Sequence, residues 1–387
     1  MIYSKTFPKI VISVLFIVLF FEPSYPKTQK KETQKEPIPK NIIIMIGDGM
    51  GIGAISAYYL VNTNANISRF KNVGLMTTHA DGSLITDSGA GGTALATGFK
   101  TKNGYISVLP DGTVVPTVME VAKTKGKNTG IVVTCSITHA TPAVFYSHVS
   151  SRGNEAEIAT FATNQTIDVF IGGGLSFFVP STTHSATQEG YQEETKTEPK
   201  VQLNLLDTMR SLGYNIITNY GDFSKHNTKG FEKLLALLEP MHLPSVVSGN
   251  RRVSLSEMTK KSLEILSKSQ KGFVLMIEGS QIDWEAHANN AKGIVAEMKD
   301  FDDTVGIVLD FAITNQDTLV IVTSDHETGG VGIIGGVVGK STTIRFVSKD
   351  HTAELVPVFS YGPGSDQFVG IFDNTYIGKK LIEIVRN

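Results

Sequence analysis

Residues 85–98, ITDSGAGGTALATG, set Ser88 between Asp87 and a run of Gly, Ala and Thr with almost nothing large to bury. Asp87 and Ser88 precede a weakly helical segment, so either side chain suits a helix cap. A hydroxyl at a helix start also stands among unpaired backbone N–H groups, a setting that suits a phosphate. Taken alone, Ser88 leaves both readings open.

Carboxylates and imidazoles elsewhere narrow the choice. NIIIMIG runs into Asp48, FVLMIEG closes around Glu278, and TLVIVTS is followed by Asp325 and His326. A carboxylate so near a buried apolar strand is costly unless paired or bound to metal. Any one of them reads equally well as a cap or a salt-bridged acid; three strand ends of this kind point to a shared site. In EGSQIDWEAHANN, Asp283 and His287 are spaced i, i+4, which puts both on one helix face. Asp325 and His326 are adjacent, so both turn inward only where the strand has ended, and ETGG supplies that end. His351, in KDHTAE, adds an imidazole ahead of the strand-like VPVFSYG. The resulting mixture of nitrogen and oxygen donors suits zinc.

The elements that must position these groups are legible as unbroken apolar runs at 41–47, 129–135, 168–173, 273–279 and 318–325, the signature of strands buried on both faces. Helical patterns lie between them: TVMEVAKTKG, SLSEMTKKSLEILSKSQ and AKGIVAEMKDFDDTVGIVLDFAIT. This alternation predicts an α/β fold, a three-layer α/β/α sandwich with a central, mostly parallel sheet. In such sheets ligands bind beyond the carboxyl ends of the strands, where the polar residues above gather. The tail adds the strand VPVFSYG and a closing helix in NTYIGKKLIEIVRN, and two stretches read as surface excursions, 180–200 and the Gly-rich 329–341.

The chain has 387 residues, 41% of them hydrophobic, enough for a large core enclosing a pocket. Its 35 Lys and Arg against 37 Asp and Glu make no basic field, so nucleic acid is not an expected partner. Lys5 and Lys9 precede the apolar run 10–21, followed by the polar KTQKKETQKEPIPK. This reads as an export signal or an uncleaved anchor followed by a linker, residues 1–40, with one catalytic domain over 41–387 and a periplasmic or extracellular destination. A membrane association is expected only where that segment stays attached. Cys135 is the only cysteine, so no internal disulfide forms; flanked by apolar residues and without a basic neighbour, it reads as a buried strand residue.

The motifs IGDGMG, TDSGAGGTALATG, THATPAVFYSHVSSR, EGSQIDWEAHANN, TSDHETGG and HTAELVPVFSYGP, in that order, resemble those of the metal-dependent alkaline phosphatase family. The resemblance implies hydrolysis of small-molecule phosphate monoesters with Ser88 as nucleophile. It implies one zinc held by Asp48, Asp325 and His326 beside Ser88, and a second held by Asp283, His287 and His351. It further implies that Arg152 binds phosphate, that Asp87 holds Arg152, and that magnesium binds Asp48, Thr141 and Glu278. His139 and Trp284 stand near that third ion where the enterobacterial form has an aspartate and a lysine, a combination similar to other bacterial branches. Only 24 residues separate His326 from His351, so the crown insertion of some relatives is not expected. A homodimer is a further expectation. The competing readings are a phosphodiesterase or sulfatase of the same superfamily, an exported phosphate- or metal-binding protein without turnover, and a serine esterase, for which the GxSxG elbow is missing.

Overall fold

The computed structural model describes Met1 and residues 38–180 and 204–387. The apolar run 10–21 and the expected excursion beyond Pro180 lie outside the described residues. Among the described residues, no helix is long and apolar enough to cross a membrane.

The described residues form fourteen strands: β1 (Asn41–Gly47), β2 (Asn72–Thr77), β3 (Asn128–Ser136), β4 (Val169–Gly173), β5 (Tyr214–Ile217), β6 (Lys233–Leu237), β7 (Phe273–Gly279), β8 (Thr318–Thr323), β9 (Glu327–Thr328), β10 (Val331–Val337), β11 (Ser341–Phe346), β12 (His351–Thr352), β13 (Val356–Tyr361) and β14 (Gly370–Asp373). Ten of them build one sheet in the order β14-β2-β13-β8-β1-β7-β3-β4-β6-β5. β13 runs antiparallel to both β2 and β8, and the remaining pairings in that sheet are parallel. The fold is therefore the expected α/β class with a mostly parallel sheet.

Every residue of β1 is buried, because helices cover both faces. Ile42, Ile44 and Ile46 pack with Leu95, Val118 and Leu381 of the helices Ser88–Thr97, Val118–Thr124 and Thr375–Arg386. Ile43 and Met45 point the other way, into a second core with Leu263, Met298 and Val305 from the helices Leu255–Leu266 and Ala291–Thr314. The side-chain period of two divides one strand between two cores.

Four adjacent central strands, β8, β1, β7 and β3, end on the same side, since they run parallel. In register, Ile46 lies beside both Glu278 and Thr323, so Asp48, Glu278 and Asp325 emerge together at the carboxyl edge. The Gly-rich stretch after His326 is a surface excursion, with much of β10 and β11 exposed. It forms the antiparallel hairpin β10–β11, after which β12 returns to pair with β9, placing His351 opposite Thr328. This two-residue ladder brings His351 back to His326 across the intervening chain.

Candidate active site

Ser88 is the first residue of the helix Ser88–Thr97, and Asp87 caps it by accepting from Ala90 N at 2.9 Å. All ten residues of that helix are buried, and its small side chains permit a close approach. A Cβ on Gly91 would stand 2.8 Å from the Asp325 carbonyl oxygen, so the run of glycine is what lets the serine helix lie against the end of β8. Gly49 takes φ of +68°, and a Cβ there would meet Asp283 Cα at 2.8 Å.

Ser88 Oγ lies 3.3 Å from His326 Nε2. The same nitrogen is 3.5 Å from Asp48 Oδ1 and 3.4 Å from Asp325 Oδ2. Thr328 Oγ1 donates its hydrogen to Asp283 Oδ1, so the contact between Thr328 Oγ1 and His326 Nδ1 at 3.2 Å uses the imidazole N–H. The Nε2 lone pair then faces two carboxylates, an arrangement that needs a cation between them. Asp48 Oδ1 and Asp325 Oδ2 are buried and have no hydrogen-bond partner, as that reading requires.

A second triangle stands beside the first. His287 Nε2 lies 3.3 Å from Asp283 Oδ1, and His351 Nε2 lies 3.1 Å from His287 Nε2 and 3.7 Å from Asp283 Oδ1. Each Nδ1 donates to a carbonyl, that of Lys349 for His287 and that of Thr86, at 2.8 Å, for His351. Two Nε2 lone pairs therefore point at each other. Ligands of one tetrahedral zinc at its usual bond lengths are about 3.3 Å apart, which both triangles approach. The carbonyl partners are those that orient metal-ligating histidines.

Thr141, in the short helix Ala140–Ala143 after β3, donates to Asp48 Oδ2 at 3.1 Å. Cys135, His139 and Glu278 offer ligand atoms that all lie within 4.8 Å of one another. Burial and the neighbouring carboxylates push Asp48 well above its usual range. Burial, then Asp325, lifts Glu278 to about 8, and burial, then Asp283, lifts Asp325 to about 7. Anionic groups crowded out of water in this way fit divalent cations.

A cleft of about 350 Å³ opens over Ser88, with Asp87, Arg152, His139, Trp284 and His351 among its walls. Arg152 Nη1 bonds Asp87 Oδ2 at 3.1 Å, and that oxygen also accepts from Gly104 N at 2.9 Å. Every site residue named from the sequence is thus gathered at the ends of β8, β1, β7 and β3.

The profile of the family described as "Alkaline phosphatase" matches residues 39–345. The chain is 31% identical to alkaline phosphatase 4 of Bacillus subtilis strain 168, over 99% of this chain and 97% of that one. The chain belongs to the alkaline phosphatase family. The Escherichia coli K12 alkaline phosphatase is 28% identical over 87% of this chain and 84% of its own. The crystallised alkaline phosphatase from the Antarctic bacterium TAB5 superposes with a TM-score of 0.79 at 36% identity, covering 91% of this chain and 99% of that one.

This member of the alkaline phosphatase family carries two further groups at its site that sequence reasoning left aside. His242 follows β6 and accepts from Ser136 N through Nδ1 at 3.0 Å; its ring meets Trp284 edge-on at 4.6 Å. Burial lowers it to about 4, so it is a neutral packing and accepting group. Its signal was present in KLLALLEPMH, a polar residue soon after an apolar strand run. His139 stands T-shaped to both Trp284 and His242, each at 5.9 Å, and its Nε2 is 3.1 Å from Arg152 Nη2. The second group is Cys135, whose Sγ lies 3.5 Å from Glu278 Oε2.

Proposed function

We propose that this alkaline phosphatase hydrolyses phosphate monoesters through a phosphoserine at Ser88. The observation that carries the reading is the convergence of two imidazole–carboxylate triangles on one cleft, with Ser88 Oγ 3.3 Å from His326 Nε2 and Arg152 in the same wall.

The donor sets fit metals: Asp48, Asp325 and His326, and then Asp283, His287 and His351, would each hold a zinc. Bound there, two such ions supply Lewis-acid stabilisation of the entering and leaving oxygens. The hard oxygens of Asp48, Thr141 and Glu278 suit magnesium. A variant of the TAB5 enzyme with a histidine replaced by aspartate is described with Mg bound in the site named M3 there. His139, beside Glu278, is the residue of this chain at which such an exchange would act.

The chain's own groups do the rest. Arg152 presents parallel N–H groups to two non-bridging oxygens of a monoester, and Asp87 fixes its plane. The start of the helix Ser88–Thr97 adds a favourable dipole for the dianion. Ser88 Oγ displaces the alcohol in line, and water then displaces Ser88, so configuration at phosphorus is retained. A diester lacks one of the two oxygens that Arg152 would pair, which favours the monoesterase over the diesterase reading. An exported location, following the N-terminal apolar run, completes the proposal.

Hydrolysis of a simple aryl phosphate, measured with metal analysis, tests it. Chelation abolishes activity and zinc restores it; full activity in a metal-free sample contradicts the assignment.

A further inference from the structure

Cys135 is the second-last residue of β3, two residues past Val133, which lies in register with Glu278. Its side chain is fully buried, and Sγ is 3.5 Å from Glu278 Oε2. Sulfur and oxygen ligands of one tetrahedral zinc are separated by about 3.6 Å at their usual bond lengths. The thiol has one hydrogen, with Ser136 O at 3.2 Å as well as Glu278 within its reach. Two of the three residues each carry a buried atom without a hydrogen-bond partner: Glu278 Oε1 and His139 Nδ1. Glu278 is 0% and His139 6% exposed.

We propose that Cys135, His139 and Glu278 form a metal site of thiolate, imidazole and carboxylate donors that takes a thiophilic divalent ion, of the zinc or cobalt class, ahead of magnesium. It rests on the phosphatase reading only in sharing Glu278 with the Asp48, Thr141 and Glu278 set, so filling one withdraws a ligand from the other. A soft sulfur donor excludes magnesium, which demands an octahedron of hard oxygens. Binding releases the thiol proton to solvent. Arg152 only donates, so its contact with His139 Nε2 at 3.1 Å leaves the neutral ring's proton on Nδ1. Ligation through Nδ1 moves that proton to Nε2 and ends this bond, while Arg152 keeps its pair with Asp87.

The chain's single cysteine makes the test specific. Metal-stripped full-length protein is titrated with cobalt(II) alone, following bound metal and near-ultraviolet absorption. The expected result is a thiolate-to-cobalt charge-transfer band that persists in excess magnesium. Cys135→Ser abolishes the band and weakens the third cobalt by at least about tenfold. Three bound cobalt ions without the band overturn the proposal, as does a band removed by magnesium or an unchanged third affinity in Cys135→Ser. The band is read on the unmodified protein, so the proposal stays testable even where the variant fails to fold. Aryl phosphate turnover on the same loaded sample separates the two claims: intact turnover with no band leaves the phosphatase reading standing and removes this one.

Discussion

Asp87 serves three partners with two oxygens, so its removal should separate stability from phosphate affinity. Oδ1 caps the nucleophile helix through Ala90 N at 2.9 Å, while Oδ2 holds Gly104 N at 2.9 Å and Arg152 Nη1 at 3.1 Å. In Asp87→Ala, loss of the cap costs about 1 kcal/mol. Leaving Gly104 N–H without its acceptor costs about 1 kcal/mol more. The ion pair, with side chains 19% and 17% exposed, contributes about 1 kcal/mol after allowance for solvent screening. The expected destabilisation is about 3 kcal/mol for Asp87→Ala against about 2 kcal/mol for Arg152→Ala, which breaks the pair and the bond to His139 Nε2. Phosphate binding should rank the other way. Arg152→Ala removes charged hydrogen bonds worth about 1.5–3 kcal/mol, a rise of about 10- to 150-fold in the inhibition constant for inorganic phosphate. Asp87→Ala keeps the guanidinium and loses only its orientation, so its rise should stay within about 10-fold. Urea denaturation of the chelated proteins and competitive inhibition by phosphate give the two rankings. If both measurements rank the variants in the same order, the division of labour between Asp87 and Arg152 is refuted.

The raised Glu278 and Asp325, near 8 and 7, bind protons more tightly in the folded metal-free protein than in the unfolded chain. Stability of the chelated protein should therefore be full at acid pH and fall as pH rises through those values, between about pH 5 and 8, whereas the metal-loaded enzyme should not share this decline. Zinc uptake at about pH 6.5 should release at least one proton, seen as a calorimetric heat that depends on buffer ionisation; a buffer-independent heat would contradict it. His242→Ala should cost about 1–3 kcal/mol by stranding Ser136 N–H, measured by urea denaturation, and an unchanged midpoint would show that the bond is unimportant.

The sheet was legible where burial on both faces forces an uninterrupted apolar run: β1 and β7 occupy the residues of NIIIMIG and FVLMIEG. β2, NVGLMT, is partly exposed and shows neither such a run nor clean alternation, so only its pairing with β13 and β14 defines it. The Gly-rich 329–341 read as a surface excursion and lies largely exposed, but local composition does not reveal its ladder, Val331 to Val337 against Ser341 to Phe346. Among site residues, Asp283 and His287 were visible as a pair because helix geometry is local. Cys135 was not, since the carboxylate that gives it meaning lies 143 positions away on another strand. His242 escaped for a related reason: its partners Ser136 and Trp284 come from other segments, and a single histidine in a loop carries no spacing.

The central claim is a covalent bond to one oxygen. Turnover of a labelled phosphate monoester, quenched in acid and followed by peptide mapping, tests it directly. The account predicts label in ITDSGAGGTALATG on Ser88, its disappearance with most of the rate in Ser88→Ala, and retention of configuration at phosphorus by the unmodified enzyme. Label on any other residue, or inversion by the unmodified enzyme, would contradict it.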